Sequence, residues 1–188
     1  MQPENLFIPS NRQELRDWLT MYAETGRECW VVIKQLPEKK NLSYLDIVEE
    51  AICFGWIDST KKKISEFELA QKISPRSKKS SWTELNKARA RRLIRTREMT
   101  DQGLKSLPDL DISKFVIDSE ILEQIEQNPV AKVNFQQFPA LYQRVRIDTI
   151  QSYKLQPQIF EKRLLKFIEN TEMNKMYGLW NDNGRLEE

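Results

Sequence analysis

The sequence predicts an α+β protein: a small, mainly antiparallel sheet flanked by helices, followed by a helical C-terminal region. Three observations carry that prediction. Cys29–Lys34 is aromatic and β-branched, and the runs 56–64 and 67–74 form a hairpin pattern around Ser65-Glu66. Apolar residues three and four apart, opened by capping residues, lie between and around those runs. Beyond Thr100 the strand patterning stops, and prolines at 108, 129, 139 and 157 separate helical segments.

In chain order, Ser10 caps a first helix whose apolar positions are Leu15, Trp18, Leu19 and Tyr22, closed by Gly26. Cys29–Lys34 then reads as a strand buried on both faces. Ser43 with Asp46 three residues on opens a second helix through Val48, Ala51 and Ile52, which stops at Gly55. In the hairpin, Phe67, Leu69 and Ile73 alternate with Glu68, Ala70 and Lys72, the period of a half-buried strand. Ser81 and Glu84 form a capping box for a helix to about Arg97. Further helices are expected near 101–107, 119–128, 130–137, 140–153 and 158–171. Residues 1–107 thus read as an α+β domain, 108–118 as a linker and 119–188 as a helical region.

Composition narrows the chemistry. The longest apolar stretch, Ala51–Ile57, is far short of the roughly 20 residues a bilayer requires, and Met1–Asn5 resembles no signal peptide. The expectation is a cytoplasmic protein without a membrane span. Cys29 and Cys53 have no metal-ligand spacing and read as packed thiols. The chain has no histidine, which removes Ser-His and Cys-His nucleophile pairs, His-ligated metals and the usual general base at neutral pH. Its five glycines supply neither a Walker loop nor a dinucleotide fingerprint. No catalytic residue, metal ligand or cofactor is assigned.

Charge is where the sequence points to a partner. Residues 61–97 hold thirteen Lys and Arg against three acids, a local net of +10, between flanks of −4 each. Such segregation favours an anionic partner: a nucleic acid, a phosphorylated ligand or an acidic protein. Projected at 3.6 residues per turn, Lys87, Arg91 and Arg95 form a basic ridge opposite a stripe of Trp82, Leu85 and Leu93. Lys61, Lys63, Arg76, Lys78 and Lys79 add to it. The loop arginine and lysines precede a helix N-terminus, whose free N–H groups suit an anion. Arg89 falls inside the apolar stripe beside Asn86 and requires a partner, for which Asp58, Glu49 or Glu50 are candidates. Trp56 and Asp58 share a strand face after Gly55, so Trp56, Asp58, Trp82, Asn86 and Arg89 form a candidate pocket.

The string Val48-Glu49-Glu50-Ala51-Ile52-Cys53-Phe54-Gly55-Trp56-Ile57-Asp58 resembles the EALCFGWID signature of the YdeI/OmpD-associated family. Ala70–Arg76, Ser81-Trp82, Asn86-Lys87 and Arg92-Leu93-Ile94 fit the same family, and Met99–Leu104 resembles its GRMTPAGL turn. The resemblance covers about residues 10–107. Phe138–Tyr142 resembles the FPPSYR helix start, while Ser152–Lys166 departs from the basic AKRPETRERRI. It implies a bacterial, cytosolic protein linked to bacteriocin protection or envelope stress, with no catalytic residue or cofactor to carry over. Three readings follow. The first is a non-enzymatic, stress- or bacteriocin-protection-associated binding protein. The second is a nucleic-acid- or phosphate-binding regulator using residues 61–97. The third is an enzyme with Asp58 as base and Arg76 or Arg89 as anion clamp.

Overall fold

The computed structural model describes residues 5–34 and 42–186. The chain separates into two compact units, Met1–Ser81 with Ala90–Pro108, and Trp82–Arg89 with Asp109–Glu188.

The first unit is built on a four-stranded sheet. Its strands are β1 (Leu6–Phe7), β2 (Cys29–Lys34), β3 (Trp56–Lys63) and β4 (Glu68–Pro75), in the spatial order β1-β2-β4-β3. The two ladders of β4 are antiparallel, whereas β1 runs parallel to β2. Five of the six residues of β2 are buried, as a central strand requires. β4 pairs on both sides, so it departs from simple alternation: Ala70, Gln71 and Ile73 are all buried. Phe67 lies at the hairpin turn and is exposed. A register shift between Asp58 and Lys61 interrupts the outer ladder of β3.

Helices α1 (Arg12–Tyr22) and α2 (Tyr44–Cys53) complete most of this unit. Asn11, rather than Ser10, caps α1 by accepting from the Glu14 N–H at 3.0 Å. Ser10 instead donates its N–H to the Glu14 carboxylate at 2.7 Å. Ser43 and Asp46 form the expected capping box of α2. The Trp56 ring is fully buried, meets Trp18 edge-on and donates Nε1–H to the Ala23 carbonyl at 3.1 Å.

Helix α3 (Glu84–Arg95) starts two residues later than the Ser81 box predicts, because Thr83 is the residue whose hydroxyl accepts from the N–H of Asn86. The division between units falls inside α3. Its first half contributes Ala88 to a buried cluster with Leu141, Val145 and Leu186 of the second unit. The short α4 (Asp101–Lys105), capped by Thr100, belongs to the first unit.

Four helices make up most of the second unit: α5 (Ser119–Gln127), α6 (Pro129–Gln137), α7 (Ala140–Gln151) and α8 (Pro157–Glu172). Pro129 and Pro157 occupy the first turns of α6 and α8, where the missing N–H costs nothing. Ile121, Ile125, Phe135, Tyr142, Ile150, Phe160 and Phe167 form its core. Among the described residues, no helix is long and apolar enough to cross a membrane.

Candidate functional site

The predicted residues divide by unit, and each finds its own partners. In the first unit Trp56 is core, and Asp58 accepts from the Tyr44 hydroxyl at 2.7 Å. In the second, Arg89 forms a buried bidentate pair with Asp182, Nε to Oδ2 at 2.6 Å and Nη2 to Oδ1 at 2.8 Å. Its third donor reaches Asn86 Oδ1 at 2.7 Å. The partner of Arg89 is therefore neither Asp58 nor Glu49 nor Glu50. Asp182 lies 93 residues downstream, in a stretch with no regular pattern. The five-residue pocket is thus divided between separate networks.

The helix N-terminus expected to receive an anion already holds one. The first N–H of α3, at Glu84, donates to Asp148 Oδ2 at 3.0 Å. Burial raises the Asp148 carboxyl above its ordinary pKa, opposed by this hydrogen bond. The basic ridge is also partly consumed. Lys87 pairs with buried Glu84 at 2.8 Å, and Arg91 is half-buried, which leaves Arg95 exposed. Arg76 folds back to donate to the Ser81 carbonyl at 3.0 Å, and burial lowers its pKa.

What survives of the predicted surface is Lys61, Lys63, Lys78 and Lys79, and the structure adds Lys62 to them. Lys61, Lys62 and Lys63 line the edge strand β3, and Lys78 and Lys79 lie in the loop after β4; all five are exposed. None has a carboxylate partner among the described residues. Lys61 Nζ lies 4.7 Å from the Tyr44 ring centroid and Lys62 Nζ 5.2 Å from that of Trp30. The two ammonium groups lie over aromatic faces, and both residues remain exposed.

Sequence reasoning missed a second network in the first unit. Glu49 and Glu50 sit in an otherwise apolar part of α2 and are fully buried. Glu49 accepts from Arg12 at 2.7 Å and Arg92 at 2.8 Å. Glu50 accepts from Arg12 at 2.6 Å and Arg16 at 2.9 Å, and Arg12 also reaches Glu98 at 2.6 Å. The signal was present: two acids inside an apolar helix need cations, and Arg12 and Arg16 are one turn apart. A cavity of about 570 Å³ opens beside Arg12, Arg16, Glu50 and Glu98. Because Arg12 and Arg16 are already matched to carboxylates, this is an architectural network and a poor anion site.

Both thiols are buried, and burial pushes each to about 12. Neither supplies a thiolate near neutral pH. The unfolded chain loses these protons near pH 8.5 while the folded chain keeps them, so stability falls as pH rises above that value. The expected slope is roughly 1.4 kcal/mol per pH unit per cysteine, continuing toward about pH 12. Urea unfolding of the wild type and of a Cys29→Ala/Cys53→Ala variant, at about pH 8 and about pH 10, measures this. Equal losses in the two proteins would contradict it.

A family model described as "Domain of unknown function (DUF8412)" matches residues 7–106, more than half of the 188. The chain belongs to the DUF8412 family. That match spans the sheet, the lysine edge and the carboxylate network of the first unit. The OmdA model, described as "Bacteriocin-protection, YdeI or OmpD-Associated", matches residues 114–174. The resemblance to that family is therefore supported over residues that include the FPPSYR-like start at Phe138–Tyr142, and not over the EALCFGWID-like string. The DUF8412 match covers that string. No curated protein and no solved structure matched the chain.

Proposed function

We propose that this DUF8412 member is a non-enzymatic binding protein of the stress- or bacteriocin-protection kind, working in the cytoplasm. Its lysine edge holds the phosphate backbone of a nucleic acid. The observation that carries this reading is the exposed set Lys61, Lys62, Lys63, Lys78 and Lys79, which lacks carboxylate partners among the described residues. Lysines on an edge strand also discourage edge-to-edge pairing, but that role does not require the two loop lysines. Recognition is of charge rather than sequence, since none of the five is a bidentate donor. The OmdA description favours a protective over a catalytic role. Asp58, tied to Tyr44, and Trp56, closed off in the core, take no part in it.

Fluorescence anisotropy with labelled single- and double-stranded DNA and RNA tests the proposal. Five phosphate contacts give a slope of log affinity against log salt of about −4.5 on duplex DNA. Replacing the five lysines by Gln is expected to reduce that slope to near zero. No binding at low salt, or an unchanged slope in the variant, rejects the reading. Binding to polyglutamate with the same lysine dependence, and none to nucleic acid, would make the partner an acidic protein.

A further inference from the structure

A second cavity, of about 590 Å³, lies wholly within the second unit. It is lined by Arg146 from α7, by Lys162, Arg163 and Lys166 from α8, and by Tyr177. No Asp or Glu is among its lining residues. On α8, Ile159, Lys162, Arg163 and Lys166 recur at spacings of three and four and so share one face. Among the described residues none of the four cations forms an ion pair, in contrast to Arg12, Arg16 and Arg92 of the first unit.

Three of the cations are held in place by groups that leave their charge unneutralised. Arg163 donates to the Thr149 carbonyl at 3.2 Å, and its guanidinium lies 4.0 Å from the Tyr153 ring centroid. Arg146 donates to the Leu179 carbonyl at 3.3 Å, and its guanidinium lies 5.4 Å from the Tyr177 ring centroid. Its Nε is buried without a hydrogen-bond partner. Gly178 makes this placement possible: a Cβ there would lie 2.7 Å from Arg146 Nη1. Lys166 Nζ lies 5.1 Å from the Tyr177 ring centroid. Four like charges around one cavity repel each other, and an entering anion removes that repulsion. Guanidinium forks suit phosphate oxygens, and the lysines add point charge. Ile150 and Ile159 supply apolar wall, and the volume suits an organic ligand.

We propose that this cavity is a binding site for a small organic phosphate, a phosphorylated molecule with an apolar or aromatic body. The phosphate meets Arg146, Arg163 and Lys166, and the body lies against Ile150, Ile159 and Tyr177. A free metabolite and a lipid headgroup share this chemistry. Isothermal titration calorimetry of the full chain at low salt tests it with ATP, adenosine and inorganic pyrophosphate. Vesicles of phosphatidylcholine with or without phosphatidic acid are assayed by co-sedimentation. ATP is expected to bind one-to-one and more tightly than pyrophosphate, and adenosine not to bind. In Arg163→Gln/Lys166→Gln the ATP affinity should fall at least tenfold, while Lys78→Gln/Lys79→Gln should retain it. Gly178→Ala, which displaces Arg146 without removing charge, should also weaken binding. Vesicle binding that requires phosphatidic acid and these same residues, without ATP binding, would assign the phosphate to a lipid. No binding of ATP or phosphatidic acid overturns the proposal. So does adenosine or pyrophosphate binding as tightly as ATP, or wild-type affinity in the folded double variant.

Discussion

Glu49→Ala is expected to destabilise the DUF8412 domain by about 3–5 kcal/mol, the cost of removing one partner from a buried ion pair. Glu49 is fully buried and accepts from Arg12 and Arg92, which lie on α1 and α3. The truncation leaves the Arg92 guanidinium, only one-fifth exposed, with the Glu98 carboxylate 3.8 Å away. Glu49→Gln should cost less, about 1.5–3 kcal/mol, because an amide oxygen still accepts while the charge is lost. The measurement is urea unfolding followed by tryptophan fluorescence, with hydrogen exchange of β2 and β4 amides reporting on this unit. A Glu49→Ala/Arg92→Met variant should recover part of the loss, since removing both charges leaves neither stranded. A cost below about 1 kcal/mol for Glu49→Ala would show the network contributing no more than surface pairs do.

The second large effect is steric. Gly103→Ala places a Cβ 2.2 Å from the Cys53 carbonyl oxygen, 2.7 Å from its carbonyl carbon and 2.6 Å from Met99 Sδ. Methionine can move, but the Cys53 backbone ends α2 and accepts hydrogen bonds from both Thr100 N and Thr100 Oγ1. Relief therefore requires α4 to separate from α2, breaking both bonds. The expected cost is about 3 kcal/mol or more, at the upper end of overpacking. Gly184→Ala is the control: its φ of +87° carries left-handed strain, but a Cβ there meets nothing within 4 Å. It should cost about 1 kcal/mol. Gly103 lies in a helix without a positive φ, so equal costs at the two positions in thermal unfolding would show that the α2–α4 contact yields to the added methyl at little cost.

Local chemistry was legible in the sequence where it acts over a few residues. The capping box at Ser43, the prolines opening α6 and α8 and the hairpin at Ser65-Glu66 all form within one turn of chain. β1 was not legible: two residues have no periodicity, and Leu6 and Phe7 become a strand only by pairing with Trp30 and Val31. The displaced cap at Asn11 is a competition between neighbours, decided when Ser10 spends its N–H on Glu14. The basic segment was legible as composition but not as a surface. Its charges scatter once Lys87 turns to Glu84, Arg89 to Asp182 and Arg92 to Glu49.

The sequence by itself determined the α+β class, the helical C-terminal region, the family resemblance and the presence of excess positive charge. Each rests on short-range periodicity, on motif strings or on counting. The tertiary structure alone decided which charges remain available. Ion pairing and burial depend on distance in space, and Asp182, Asp148 and Glu49 reach their partners across 93, 64 and 43 residues. By the same rule it left Lys61, Lys62, Lys63, Lys78 and Lys79 in water, and gathered Arg146, Lys162, Arg163 and Lys166 around one cavity without an acid among its lining residues. A count of charges cannot distinguish a neutralised arginine from a free one, because neutralisation is a property of the neighbour the fold supplies.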